Sequence, residues 1–217
     1  MTSKNTWGGK RAGAGRPQSS EMIPHTKRPE VGNKRPLFIV IKIRKELGSI
    51  RHPEFFKVFE RSSLRAKRFG LRIIHFAILN HKIQLLVEIK KQEELHMSFK
   101  SLNTSLAIHL KKKYFQLHGQ KHHGPVLLGR FQMTVLEDPQ GTKDKMKKLY
   151  LEAAWEQKKR NYPDHFSSAP IFHDWQALLQ EEWTEDFNHE FTGEEIKQTK
   201  TICSLPQFWL NQSGWKS

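Results

Sequence analysis

The stretch from Arg72 to Ile89 places the strongest constraint on the fold. Two apolar runs rich in β-branched residues, 73–79 and 83–89, flank a polar Asn80-His81-Lys82 turn. Runs of this length around a polar turn are typical of a β-hairpin at the centre of a sheet. Polar and apolar residues alternate in the second run, so we expect one face of that strand to be core and the other to be offered to a ligand or to chemistry.

The segments around the hairpin predict an α+β domain. Residues 36–44 and 125–137 have strand patterns, and residues 53–69 and 93–115 carry apolar side chains at helical spacing. A further helix is predicted over 142–160. The order is β-α-β-β-α-β followed by a tyrosine-bearing helix, the split βαβ plan of a ferredoxin-like domain with a four- to five-stranded antiparallel sheet.

Charge divides the 217-residue chain into unlike parts. The net charge is +15, but it is unevenly distributed. Residues 161–217 hold 3 Lys and Arg against 9 Asp and Glu, whereas residues 1–160 hold 34 Lys and Arg against 13 Asp and Glu. Such a basic chain implies a polyanionic partner, with nucleic acid as the first hypothesis. We expect a disordered basic arm over 1–34, a DNA-binding domain over 35–162, and a Trp-rich acidic tail over 163–217 that packs on the domain.

Other classes of protein are excluded by simple counts. Cys203 is the only cysteine, which excludes an internal disulfide framework and a cysteine-rich zinc site. The sequence has no apolar run long enough to span a bilayer and no hydrophobic leader. We therefore expect a soluble, cytoplasmic and nucleoid-associated protein with no membrane partner.

Several segments resemble the REP-associated tyrosine transposases, relatives of the single-tyrosine HUH nucleases. The hairpin resembles the family's central hairpin, which ends in Asn-His-x-His-Leu-Leu-Val-Glu, and Lys147 to Trp155 resembles its tyrosine helix. The Gly-Arg-Pro leader at 8–17 and the segments 164–175 and 205–215 are also similar to parts of the family. The resemblance implies an enzyme that cleaves and joins single-stranded DNA at palindromes folded as hairpins.

The resemblance also implies the site residues. Tyr150 matches the nucleophile that becomes esterified to a 5′ DNA phosphate. Aligned without gaps, Lys82 and Gln84 stand where the family has two metal-binding histidines, and Ala154 stands where it has a metal-binding asparagine. We therefore expect no bound metal and loss of metal-dependent cleavage. Mg²⁺ or Mn²⁺ is expected as a cofactor only if Tyr150 still acts with a metal ion held by an unusual set of ligands.

Tyr150 and His75 can also be interpreted as ordinary structural residues. Tyr150 lies between Leu149 and Leu151, so it is equally well interpreted as a packing residue of a basic helix. His75, in the first strand of the hairpin, is expected to be a hydrogen-bonded sheet histidine rather than a metal ligand.

Basic residues recur on almost every predicted element. Phosphate contacts by such residues give affinity without sequence information and make binding salt-dependent. In the arm, Gly15-Arg16-Pro17 resembles a minor-groove hook, although we favour the plainer interpretation of a flexible cationic leader. The predicted DNA contacts are Arg11, Arg16, Lys42, Arg44, Lys90, Lys111, Lys112, Lys121, Arg130, Lys147 and Lys158.

Three functions are compatible with the sequence. The leading hypothesis is a binder of hairpin or single-stranded DNA that has lost cleavage. The alternatives are an active transposase or nuclease that forms a phosphotyrosine through Tyr150, and an RNA-binding ferredoxin-like module. The first and fourth strands lack the clustered exposed aromatics on which such RNA-binding modules stack bases. Monomer and dimer are both compatible with the sequence.

Overall fold

A computed structural model describes residues 29–31, 35–156, 165–172 and 191–204 of the chain. Its centre is a four-stranded antiparallel sheet in the order β2-β3-β1-β4. The strands are β1 (Leu37–Lys42), β2 (Arg72–Ile78), β3 (Lys82–Glu88) and β4 (Gln132–Val135). The sheet order and the pairing confirm the predicted ferredoxin-like α+β fold.

Four helices accompany the sheet in the described part of the chain. They are α1 (Pro53–Lys67), α2 (Gln92–His118), α3 (Pro139–Trp155) and α4 (Gly193–Ile202), with short 3₁₀ turns at 45–47 and 169–171. None of these helices is long and apolar enough to cross a membrane. The predicted arm over 1–34, except for 29–31, lies outside the described residues, as do Trp175, Trp209 and Trp215 of the predicted tail.

Local sequence signals explain where the helices begin and end. At α3, the Asp138 side chain accepts a hydrogen bond from the Gly141 amide and Pro139 occupies the first turn, where its missing N–H costs nothing. Thr192 and Glu195 form a reciprocal capping box at the start of α4. Gly119 ends α2 in the left-handed conformation, with φ of 67°.

The sheet separates two apolar layers. Helices α1 and α2 pack on one face, against residues such as Ile83 and Leu85 of β3. Helix α3 packs on the other face, where Leu149 and Tyr150 join Leu86 in a second cluster. The face of β3 that we expected to be offered to a ligand or to chemistry lies against α3.

The predicted fourth strand, 125–137, is divided in two. Val126 to Leu128 pairs with the extension of β1, through hydrogen bonds from Arg44 N to Val126 O (3.0 Å) and from Leu128 N to Lys42 O (2.9 Å). Gly129, with φ of 67°, then interrupts the pairing before β4 resumes at Gln132. The regular strand is consequently only four residues long.

The outer edge of β2 is covered by chain that follows α3. Ser167 forms an antiparallel bridge with Ala77, and the Ile78 amide donates to Phe166 O (2.7 Å). Farther along the edge, the Ser204 amide donates to Ile73 O (2.7 Å). These two segments satisfy backbone groups that an edge strand otherwise leaves exposed.

Candidate functional site

Tyr150 lies in the interior between α3 and β2. Its side chain is fully buried. Its hydroxyl is 2.8 Å from His75 Nδ1 and 2.8 Å from Ser168 Oγ, and Ser168 Oγ is itself 3.4 Å from His75 Nδ1. Three polar side chains from β2, α3 and the segment after α3 thus form one closed hydrogen-bond network.

Burial controls the protonation of this network. It raises the pKa of the Tyr150 phenol well above its ordinary value, although the hydrogen bond to Ser168 acts in the opposite direction. Burial also lowers the pKa of His75 from 6.5 to about 3. At neutral pH the network therefore consists of a neutral phenol and a neutral imidazole, and His75 is the hydrogen-bonded sheet histidine that the sequence predicts.

Phe172 closes the network from the side. Its ring stacks on Tyr150 at 5.4 Å with an interplanar angle of 7°, and meets the His75 imidazole edge-on at 4.8 Å. The segment 165–172 thus supplies both a hydrogen-bond partner and an apolar cover for the phenol. With this segment in place, the Tyr150 side chain has no exposed surface through which to meet a phosphate.

Lys82 and Gln84 point to the same side of β3 and meet the same carboxylate. Lys82 Nζ lies 2.5 Å from Glu152 Oε2, and Gln84 Nε2 donates to that same oxygen at 2.7 Å. Lys148 Nζ lies 3.9 Å from the other oxygen of Glu152. The alternation read from the sequence is correct, and its polar residues are used to hold α3 against β3.

This set of side chains does not suit a divalent cation. An ammonium group already neutralises the Glu152 carboxylate, and Ala154, which is buried, offers no ligand atom. In the described ranges there is no group of three or more His, Cys, Asp or Glu side chains that could hold a metal ion. Next to the cluster, Asn80 donates to Glu156, a second link between the hairpin turn and the end of α3.

The structure brings several predicted DNA contacts to one end of the sheet. Lys42 ends β1 opposite Lys82, and Arg44 follows it in the segment that pairs with Val126. The loop at 119–131, which joins α2 to β4, therefore returns to this same end. We call the extension of β1, the loop that pairs with it and the last turns of α2 that lead into the loop the basic end; these segments carry Lys42, Arg44, Lys121, Arg130, Lys111 and Lys112.

The remaining predicted contacts lie elsewhere. Lys90 follows the opposite end of β3 from Lys82, and Lys147 is half-buried on α3. Arg11, Arg16 and Lys158 lie outside the described residues. Some of the predicted DNA contacts thus belong to the basic end, and the others lie elsewhere or outside the described residues.

The basic end could have been found in the sequence from a long run that lacks acidic residues. From Leu95 to Leu136 there is no Asp or Glu, while the same run holds six Lys and Arg residues and five histidines. Most of α2 and the whole loop that follows it fall within this run. No carboxylate within the loop itself opposes an incoming phosphate.

The sequence comparisons find no match, and the structural comparisons find chains of low similarity. No protein-family model matches the chain, and neither does any curated protein. The chain is similar to a solved REP-associated tyrosine transposase bound to a REP hairpin, with 12% identity and a TM-score of 0.49 over 78% of this chain and 98% of that one.

Two further similar structures are tRNA(His) guanylyltransferases. One is a bacterial guanylyltransferase-like protein in complex with ATP, with 8% identity and a TM-score of 0.42 over 73% of each chain. The other is the enzyme from Saccharomyces cerevisiae, with 10% identity and a TM-score of 0.44 over 83% of each chain. Similarities of this degree do not indicate a shared function.

Proposed function

We propose that the chain is a DNA-binding protein of the REP-associated tyrosine transposase type, which recognises palindromic single-stranded DNA folded as a hairpin. In this proposal it works in the cytoplasm on nucleoid DNA and has lost metal-dependent cleavage and joining. It needs no cofactor for binding.

The observation that carries the proposal is the contact between β3 and α3. The resemblance read from the sequence implies that alternate residues of the hairpin face the tyrosine helix. Lys82 and Gln84 face α3 and share Glu152, two residues along the helix from Tyr150. This contact supports the proposal, because the resemblance implies metal-binding side chains between the hairpin and the tyrosine helix, and in this chain Lys82 and Gln84 bind a carboxylate of that helix instead.

The state of Tyr150 supports the loss of cleavage. A phenol that attacks a phosphate must reach it and give up its proton, and a bound metal assists by withdrawing charge from the phosphate. The Tyr150 hydroxyl is buried, is held by His75 and Ser168, and has a raised pKa. All three conditions oppose attack.

The basic end supports the binding of DNA. The extension of β1 pairs there with the 119–131 loop that follows α2, each of these segments carries lysine or arginine, and the run from Leu95 to Leu136 lacks acidic residues. Neutralisation of phosphates by such groups releases counterions, so the affinity for DNA should fall steeply as salt is added.

Binding is tested with a fluorescently labelled DNA hairpin taken from the genomic neighbourhood of the protein's own gene. Anisotropy is measured over a salt titration for the wild type and for Lys42→Gln/Lys121→Gln. Loss of two single-strand phosphate contacts should lower the slope of log K against log salt by about 1.4. The matched control, Arg68→Gln/Lys91→Gln, removes the same charge from the opposite end of the sheet and should leave the slope unchanged.

Cleavage is tested on the same hairpin with Mg²⁺ or Mn²⁺. The proposal predicts tight, salt-sensitive binding and no covalent protein–DNA product. A covalent product that disappears in Tyr150→Phe would establish the active-nuclease alternative and overturn the proposed loss of cleavage. Equal competition by an RNA hairpin of the same sequence would favour the RNA-binding alternative.

A further inference from the structure

The last two turns of α2 carry no fully buried side chain, although Tyr114 packs partly buried against the core. Buried side chains recur along α2 from Leu95 to Leu110, and none follows Leu110 in the helix. At about 1.5 Å per residue, the 27-residue helix is far longer than the seven-residue strand β3 beside it. Phe115, Leu117 and His118 are exposed, so packing of the core does not require these positions to be apolar or aromatic.

This extension nevertheless carries aromatic and apolar side chains. Phe115 is 48% exposed and Leu117 is 64% exposed. The Tyr114 ring lies 4.4 Å from the His118 ring and 5.1 Å from the His122 ring of the following loop. The exposed rings of Phe115 and His118 thus lie on the helix surface, next to the partly buried Tyr114.

Basic residues are interleaved with these rings. Lys111, Phe115 and His118 are separated by four and three residues, so they follow one another along one strip of the helix. Lys112 and Lys121 are exposed; Lys112 follows Lys111 in the helix, and Lys121 precedes His122, whose ring meets Tyr114. Lys113 differs, because burial lowers its pKa and the Glu54 carboxylate acts on it in the opposite direction.

The chemistry of the strip indicates its ligand. Single-stranded nucleic acids are held by surfaces that pair cations with the phosphates and offer ring faces to the bases. An apolar partner protein does not require this charge, and a paired duplex does not offer free base faces. The absence of carboxylates from Leu95 to Leu136 favours a polyanionic chain.

We propose that the strip formed by Lys111, Phe115 and His118, backed by Tyr114 and His122, is a stacking surface for unpaired bases of a bound DNA strand. This inference rests on the proposed function and adds to it the place where unpaired nucleotides bind. Phe115 supplies the exposed ring, Lys111 and Lys112 pair with the phosphates, and His118 extends the ring surface toward Tyr114.

The test compares two DNA probes that share one hairpin. One has an unpaired oligothymidine flank, and the other is blunt-ended. Phe115→Ala should weaken binding of the flanked hairpin by about 5- to 100-fold, which is the loss expected from one stacked base, and change binding of the blunt hairpin less than about 2-fold. Phe115→Trp should retain affinity for the flanked hairpin, because it keeps an exposed ring.

A matched control lies on the same helix. Ile108 is 61% exposed and precedes Phe115 by two turns, so Ile108→Ala removes a similar apolar surface without removing a ring. It should bind both probes like the wild type. If Phe115→Ala also binds both probes like the wild type, the stacking surface is refuted while DNA binding stands. If the wild type binds neither probe, the proposed function itself fails.

Discussion

The Nδ1 atom of His75 lies 2.8 Å from the hydroxyl oxygen of Tyr150, in the interior between β2 and α3. Ser168 approaches the same hydroxyl at 2.8 Å, from a segment that follows α3. The residue that the sequence marks as a possible nucleophile is therefore also a junction between three parts of the fold. Its structural and chemical roles can be separated by experiment.

The first prediction concerns the stability of Tyr150→Phe. Removal of the hydroxyl takes one partner from each of His75 and Ser168, which stay buried, so the free energy of unfolding should fall by about 1 to 3 kcal/mol. Urea denaturation measures the change. Tyr114→Phe removes a hydroxyl from a half-buried tyrosine and should change the free energy by less than about 0.5 kcal/mol. Equal effects of the two variants would contradict the structural role of the network.

The second prediction concerns acid. The folded pKa of His75 is lowered from 6.5 to about 3, so between these values the unfolded chain binds a proton that the folded chain does not. The free energy of unfolding should therefore fall as the pH falls through this window, by up to about 1.4 kcal/mol per pH unit from this residue. His75→Gln should remove this part of the pH dependence, whereas His96→Gln, at an exposed position, should not. Urea denaturation across the window provides the measurement.

The third prediction concerns Glu152, whose carboxylate neutralises Lys82. Both side chains are partly exposed, at 18% and 35%, so Glu152→Gln should lower the free energy of unfolding by at most about 1 kcal/mol. The freed ammonium should strengthen binding of the DNA hairpin and raise the salt slope by about 0.7, the contribution of one phosphate contact. Glu137→Gln breaks an exposed ion pair with Arg35, which precedes β1 at the end away from Lys82, so it frees a cation elsewhere and serves as the control with the same net charge. An unchanged slope in Glu152→Gln would show that Lys82 does not contact DNA.

The fourth prediction concerns the interface between α1 and α2. Ser62 Oγ donates to Ser105 Oγ at 2.8 Å, and both residues are buried. Ser62→Ala should cost about 1 to 2 kcal/mol because Ser105 loses this partner, and the double variant with Ser105→Ala should cost less than the sum of the two single changes.

The neighbouring serine provides the control for this cycle. Ser63 is also buried, and its hydroxyl has no hydrogen-bond partner in the described part of the chain. Ser63→Ala should therefore leave the stability unchanged or raise it, because it removes a polar group that burial leaves unsatisfied. Urea denaturation measures the free energy of unfolding of both variants. An equal loss of stability in Ser63→Ala and Ser62→Ala would refute the stabilising role of the Ser62–Ser105 hydrogen bond.

The spacing of apolar residues predicts the helices and strands of this fold well, because each is specified by a local sequence pattern. The alternation around Asn80 gives the hairpin, and apolar spacing gives α1, α2 and α3. The interruption of the fourth strand depends on the positive φ of Gly129 and on pairing with the extension of β1, and neither is visible in a pattern of apolar residues.

The site is less predictable because its partners are distant in sequence. Ser168 meets His75 across 93 positions, and Glu152 meets Gln84 across 68. A polar residue on a strand between two apolar neighbours does signal that a partner is needed, and Gln84 gives that signal. The identity of the partner depends on how α3 crosses the sheet, which the local sequence does not specify.

The covered edge of β2 has a consequence for synthesis of the protein. Phe166 and Ser167, which complete that edge, are made about 90 residues after Phe76 and Ala77, so a growing chain carries the bare edge for roughly 5 to 20 s at ordinary translation rates. During that interval the strand can pair with another nascent chain. Products that terminate before residue 165 retain the bare edge permanently and are expected to aggregate, whereas the full-length chain closes the edge with its own last quarter.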